Sequence, residues 1–307
     1  MGGSGGSSFF YGEKDIESIW DKIKAGEELE KKQVYSQQVN DLLKNKLGTI
    51  NQRDIEGINN IADRIKFILN EETEGTINLN FGGSISKHTY IDGFSDVDIL
   101  LLLQKTELKN LSPKEVKDYL FDILKPEFGE ENIRKGNLAI TIQSGEIETQ
   151  ILPALKFGDH YKISDEGGNS WALIKPKEFA SHLSSENEKL SFKLVPIIKL
   201  AKAVMSQLPE SKRLSGYHTE SLAIEAFKNY KGESNYKDLL MHFFKESATK
   251  VLKPIKDKSG QSIHVDTYLG KENSINRKKI GHTLENIYKK MVLAEDTKQL
   301  LYWEEIV

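Results

Sequence analysis

The sequence predicts an α+β fold in which a small mixed sheet lies between a helical N-terminal third and a wholly helical second half. Three observations carry this. Ile55, Ile58, Ile61, Ile65 and Ile68 recur at three- and four-residue steps, the period of a helix with one buried face. Between Ser95 and Leu103 the chain alternates instead, Asp96, Asp98, Leu100 and Leu102 against Val97, Ile99, Leu101 and Leu103, the period of a strand. From Phe179 onward helical spacing returns and persists.

Taken in order, residues 1–8 have the composition of a flexible linker or cloning remnant, show no signal-peptide pattern and are set aside. Glu13–Ile23, Leu29–Lys46 and Asp54–Leu69 are predicted helices. A turn at Glu71–Gly75 leads into a strand at Ile77–Phe81, which ends in Gly82-Gly83-Ser84, and Ser95–Leu103 is the next strand. Leu138–Gln143 and Glu146–Leu152, joined at Ser144-Gly145, predict a hairpin closed by Pro153. Further on, Leu194, Val195, Ile197, Ile198, Leu200, Ala201 and Val204 mark a helix that tolerates Pro196 only in its first turn. His218–Tyr230, Tyr236–Leu252 and Arg277–Leu293 are the remaining helices, and no repeat is present. The predicted units are residues 9–157, N-terminal helices plus sheet, and residues 158–307, a helical lobe.

Composition excludes several classes of function. No apolar run approaches the roughly 18 residues needed to span a bilayer, so no membrane partner is expected. The chain has no cysteine, which removes disulfides, thiolate zinc sites and cysteine nucleophiles and fits a reducing, cytoplasmic setting. With 43 basic and 46 acidic side chains the net charge is −3, too little positive field for stable binding of long nucleic acid. The seven histidines lack paired metal spacing.

The chemistry lies in the middle strands. Asp96 and Asp98 are two apart on a strand, so they share a face with α-carbons about 6–7 Å apart, close enough to share divalent cations. Such pairs suit Mg²⁺, and two ions about 3.5–4 Å apart serve phosphoryl transfer by activating an attacking hydroxyl and stabilising a leaving pyrophosphate. Gly82-Gly83 lets backbone approach a ligand, and Ser84 offers a hydroxyl where a helix begins, an arrangement that favours phosphate. A lone Asp-x-Asp is more often a solvated face and a lone Gly-Gly-Ser a turn. Here the two follow one another, and the acids open a strand whose continuation is wholly apolar, so the combination predicts a site.

These residues resemble the polymerase-β-like nucleotidyltransferases, whose signature is Gly-Ser, a short helix, Asp-x-Asp and a third acid on a later strand. More narrowly, Phe81-Gly-Gly-Ser-Ile-Ser-Lys-His-Thr-Tyr90, Val195-Pro-Ile-Ile-Lys-Leu-Ala-Lys202 and Gly216-Tyr-His-Thr-Glu-Ser-Leu-Ala-Ile-Glu225 resemble the bacterial cyclic-oligonucleotide synthases of CBASS anti-phage defence, the SMODS-type nucleotidyltransferases. The resemblance runs from Phe81 to the Gly260–Leu269 loop. It implies a nucleotidyltransferase lobe, a helical lobe and an active site in the cleft between them. It also implies two Mg²⁺ or Mn²⁺ ions, nucleoside triphosphates (ATP, GTP, UTP or CTP) as substrates, and a downstream effector that senses a cyclic di- or trinucleotide.

The resemblance assigns roles residue by residue. Asp96 and Asp98 are catalytic metal ligands, with Gly83 and Ser84 at the phosphates. The usual third acid lies three residues before a proline, but that position is Gln150. Glu148, two residues away on the same strand face, is therefore expected to complete the metal site, with Gln150 as a neutral nucleotide contact. Lys199 and Lys202 are neighbours on one helix face, either solvated or facing triphosphate, and the resemblance puts Lys202 over the phosphates. Ser215 is expected to donate to phosphate and Tyr217 to stack on a base, the competing reading being a core tyrosine. Trp171 packs between lobes or flanks a second nucleotide. Competing functions are an RNA-tailing or tRNA-modifying transferase, and a catalytically degenerate nucleotide-binding module for which Gln150 is the only support.

Overall fold

The computed structural model describes residues 13–307 apart from 53, 74, 75, 93, 166 and 261. The predicted linker at residues 1–8 and the last two residues of the expected Glu71–Gly75 turn fall outside these. Two helices, α1 (Glu13–Ile50) and α2 (Ile55–Glu72), lead into β1 (Thr76–Phe81), the short α3 (Gly83–Ser86), β2 (Val97–Lys105) and α4 (Pro113–Phe128). Strands β3 (Ile133–Lys135), β4 (Ile140–Ser144), β5 (Ile147–Phe157), β6 (His160–Ser164) and β7 (Trp171–Ile174) follow. The rest is helical: α5 (Pro176–Lys189), α6 (Leu194–Ser206), α7 (Gly216–Phe227), α8 (Tyr236–Lys250), α9 (Ile275–Thr297) and α10 (Leu300–Ile306). No helix among the described residues is long and apolar enough to cross a membrane.

The sheet is mixed, ordered β1-β2-β5-β4-β3, with β5 parallel to β2 and the other neighbours antiparallel. The alternation of β2 divides its two faces as predicted. Ile99, Leu101 and Leu103 are fully buried against Ile61, Ile65 and Leu69 of α2 and Val116, Leu120 and Leu124 of α4. Leu100 and Leu102 point the other way, into a smaller cluster with Ala154, Ile163 and Ile174. Asp96 and Asp98, in phase with them, therefore open on the face away from the main core.

The structure differs from expectation at four points. Glu13–Ile23 and Leu29–Lys46 are one continuous helix, because Gly26 weakens a helix interior by only about 1 kcal/mol and nothing else interrupts it. That helix belongs with the second half: Tyr35, Val39, Leu43 and Leu47 are buried in the core formed by α6 to α10, beside Trp303 and Met291. The boundary expected at 157/158 falls inside the sheet, because β5 continues through Pro153 to Phe157 and pairs with β6 and then β7, so that sheet structure ends at Ile174. Pro153 does not close the hairpin. Pairing with β4 ends at Ile140↔Ile151, so its missing N–H falls where no β4 partner asks for one.

Candidate active site

A cleft of about 900 Å³ lies between the sheet and the helices, reaching Gly83, Ser84, Asp96, Asp98 and Gln150 from one side and Lys202, Ser215, Tyr217 and Glu220 from the other. Its sheet wall is polar at one end and apolar at the other, where Leu100, Leu152, Tyr161, Ile163 and Ile174 face it.

The polar end is built by β1 and β2. The Gly82 N–H donates to the Asp98 carbonyl (2.8 Å), closing the pair of strands. Gly83 then turns with φ +48°, and a Cβ there would lie 1.6 Å from Asp98 Oδ2, so both the left-handed backbone and the close approach of the carboxylate require glycine. Ser84 is buried at the cleft, and its hydroxyl has no hydrogen-bond partner among the described residues. The Ser95 N–H donates to the Ile91 carbonyl (3.0 Å) in the turn that precedes Asp96.

Both aspartates resist ionisation. Burial pushes Asp98 up to about 6, an effect that nearby Lys87 reduces and Asp96 and Glu220 increase. Asp96 is also pushed up to about 6, by burial and then by the charge of Glu148, with Arg134 opposing. Gln150 stands directly beside Asp98 across the parallel β2–β5 pair, and its amide Nε2 donates to Asp96 Oδ2 (2.8 Å). Glu148 sits one pleat further out, does not line the cleft, and is held by Arg134 at 2.5 Å. The residue expected as third ligand is thus directed to the sheet's end, while the glutamine occupies the place beside the aspartates. Among the described residues no group of three or more His, Cys, Asp or Glu side chains is arranged to hold a metal. What the site offers is two charge-rich carboxylates and a neighbouring amide, beside an unpartnered hydroxyl. That donor set fits a hard divalent cation, which carboxylate oxygens prefer and whose charge relieves both aspartates.

On the helical side the two lysines part company. Lys199 is buried away from the cleft, and its ammonium donates to Asn51 Oδ1 (2.5 Å), so it is not a cleft residue. Lys202 reaches the cleft floor, fully buried, and donates to the Thr89 carbonyl (2.9 Å) and Glu220 Oε1 (3.0 Å). Glu220 is fully buried too, yet its carboxyl is held below the usual range, because Lys87, Lys202 and the Thr89 hydroxyl outweigh its desolvation. Ser215 caps α7, its hydroxyl accepting from the His218 N–H (3.2 Å). Tyr217 lines the cleft with its ring edge-on to Phe179 (centroids 4.7 Å) and its hydroxyl donating to Asp257 Oδ1 (2.7 Å). Asp257 in turn accepts from the Ser259 and Ser262 N–H groups at 2.7 and 3.0 Å, tying the tyrosine to that loop. Trp171 neither lines the cleft nor bridges lobes: it packs on the sheet core and its indole N–H donates to the Leu111 carbonyl (3.1 Å). Lys87 and Glu220 were missed by sequence reasoning. The signals were a cationic side chain three residues after Ser84, and a carboxylate among apolar residues of α7 that burial obliges to find partners.

A mixed sheet carrying a paired-aspartate mouth after Gly-Gly-Ser, closed by a helical lobe, defines a nucleotidyltransferase fold of the kind seen in DncV. Solved structures share it, three of them as follows. Escherichia coli MS115-1 CdnC with ATP has a TM-score of 0.60 at 16% identity, over 86% of this chain and 92% of that one. E. coli DncV in its 3′-deoxy GTP bound form gives 0.60 at 13%, over 92% and 87%. Vibrio cholerae DncV, a cyclic AMP-GMP synthase, gives 0.60 at 11%, over 92% and 90%. No curated protein sequence matches the chain. Residues 34–187 match the Second Messenger Oligonucleotide or Dinucleotide Synthetase domain, SMODS, half the chain, and the protein belongs to that family of nucleotidyltransferases.

Proposed function

We propose that the protein joins nucleoside triphosphates into a cyclic di- or trinucleotide second messenger, using divalent cations and releasing pyrophosphate at each bond. The observation that carries this reading is the pair of partly buried aspartates, both pushed up to about 6 chiefly by burial, at the mouth of a cleft large enough for more than one nucleotide. Asp96 and Asp98 would hold Mg²⁺ or Mn²⁺, with Gln150 fixing the orientation of Asp96. Bound cations would supply charge neutralisation at the α-phosphate and favour the ionised acceptor hydroxyl. The chain's own residues do the positioning. Ser84 offers its hydroxyl to phosphate, Tyr217 its ring face to a base, and the apolar sheet wall excludes water from the far end. The acceptor ribose oxygen forms the new P–O bond as the bond to pyrophosphate breaks, with no dedicated protein base required.

The cyclic product would act on a downstream effector in anti-phage defence, as the family and its CdnC and DncV neighbours suggest. An RNA-tailing or tRNA-modifying reaction is less supported, because a near-balanced charge argues against the basic RNA-binding surface that such a reaction would need. The test is incubation of the protein with all four labelled triphosphates and Mg²⁺ or Mn²⁺, then phosphatase and mass spectrometry. A phosphatase-resistant cyclic species is expected. Only linear or RNA-linked products would contradict the reading.

A further inference from the structure

Below Gly83 and Ser84, charged side chains from both sides of the cleft converge on one carboxylate. Glu220 of α7 accepts from the ammonium groups of Lys87 and Lys202 and from the Thr89 hydroxyl. The two lysines differ in what remains for a ligand. Lys202 is wholly enclosed, and two of its three hydrogens go to Glu220 and the Thr89 carbonyl. Lys87 donates to Glu220 Oε2 and keeps its side chain 11% exposed at the cleft wall, its Nζ 5.0 Å from the ring centroids of both Phe179 and Tyr217. Aromatic faces fix and partly desolvate an ammonium without taking its hydrogens. A third lysine on the lining, Lys177, is largely exposed and lies 3.8 Å from Asp159.

We propose that Lys87 binds the polyphosphate of the nucleotide, and that Glu220 is the positioning residue that holds the Lys87 ammonium beside Ser84. The proposal rests on the cleft being a nucleotide site. Among the described residues three carboxylates, Asp96, Asp98 and Glu220, face the Lys87 and Lys202 ammonium groups on the cleft floor, so a polyphosphate entering there needs every available positive charge. Lys87 is the one of those two whose side chain keeps any exposure, 11% against 0% for Lys202. It sits in the turn closing α3, three residues from the unpartnered Ser84 hydroxyl, so the two polar groups are carried on one rigid segment. The Thr89 N–H, donating to the Ser84 carbonyl (2.9 Å), fixes that segment, and Glu220 grips both Lys87 and Thr89. Lys202, which the sequence pattern puts over the phosphates, instead compensates Glu220 from beneath.

Calorimetric titration of the full chain with the four α,β-methylene nucleoside triphosphates in Mg²⁺, and competition by inorganic tripolyphosphate, tests this. Lys87→Ala is expected to weaken both nucleotide binding and tripolyphosphate competition by about tenfold or more, the scale of a lost charge-assisted hydrogen bond. Lys87→Arg should restore part of each, and Lys177→Ala should change neither by more than about twofold, as befits an exposed charge. Glu220→Gln should weaken binding in the same sense, and adding it to Lys87→Ala should bring little further loss. Melting curves establish that each variant is folded. If Glu220→Gln does not fold, Lys87→Ala and Lys87→Arg decide alone. Unchanged nucleotide binding in Lys87→Ala overturns the proposal, as does a loss that spares tripolyphosphate, or a tripolyphosphate that fails to compete with wild type. A wild type that binds none of the four analogues removes the nucleotide reading itself, a distinguishable failure.

Discussion

Two buried carboxylates a few residues' reach apart behave in opposite ways. Asp98 has its carboxyl pushed up to about 6, and Glu220, at least as deeply buried, is held below its usual range. Desolvation acts on both in the same direction, so the difference is one of partners. Glu220 has two ammonium groups and a hydroxyl within hydrogen-bonding distance, while at Asp98 the charge of Lys87 is opposed by those of Asp96 and Glu220 and burial prevails. The lesson is that a completed ion cluster is architecture, and an incomplete one is a receptor for charge that comes from outside.

The largest effect should come from removing the incomplete half. Asp98→Asn is expected to reduce turnover by about 10³-fold or more, the scale of deleting a principal electrostatic element of a transition state. Its melting temperature should hold or rise, because a carboxylate that burial disfavours disappears, and calorimetry with pyrophosphate detection reads both. Glu220→Ala should do the reverse in kind, costing about 3–5 kcal/mol of stability because it strands buried Lys202, measurable by denaturant unfolding.

His218 sharpens the comparison as a buried group kept neutral. Burial lowers it from 6.5 to about 4, with Asp266 opposing and Arg277 assisting. Below pH 6.5 the unfolded chain takes up a proton that the folded chain refuses until about pH 4. This contribution to stability is therefore full above pH 6.5 and falls as pH drops from 6.5 toward 4. Urea unfolding across that range should show a shallower decline in His218→Gln. A smaller effect is expected of Tyr217→Phe, which keeps the ring but loses the Asp257 bond, for about 1 kcal/mol. Smallest is Glu148→Gln, which should alter turnover by less than about threefold, since Arg134 and not the cleft holds that carboxylate.

The mouth of the site was legible because strand alternation alone puts Asp96 and Asp98 on one face and Ile99, Leu101 and Leu103 on the other. The third position was not, because counting along β5 cannot say which of Glu148 and Gln150 stands beside Asp98. The parallel register decides that, and it comes from a partner strand about fifty residues away. Lys199 and Lys202 are about 60° apart around α6, a small angle on a solvated helix. Because α6 is enclosed on most sides, that angle suffices to send one toward Asn51 and the other to Glu220. Helix α4 was overlooked although Ser112, Pro113 and Glu115 form a full capping box at its start, because its apolar face is diluted by lysines and acids. The sheet's extension through Pro153 escaped detection for a related reason: a proline reads as a strand end unless the neighbouring strand is known to stop first.

Two aspartates with a glutamine beside them are expected to make a working phosphoryl-transfer site. The most direct measurement is pyrophosphate release from all four triphosphates, in Mg²⁺ and then in Mn²⁺, by wild type, Asp98→Asn and Gln150→Asp. Release by wild type is expected to depend on the cation and to be lost in Asp98→Asn. A silent wild type that Gln150→Asp brings to life would contradict it, leaving a nucleotide-binding protein whose third ligand had been replaced.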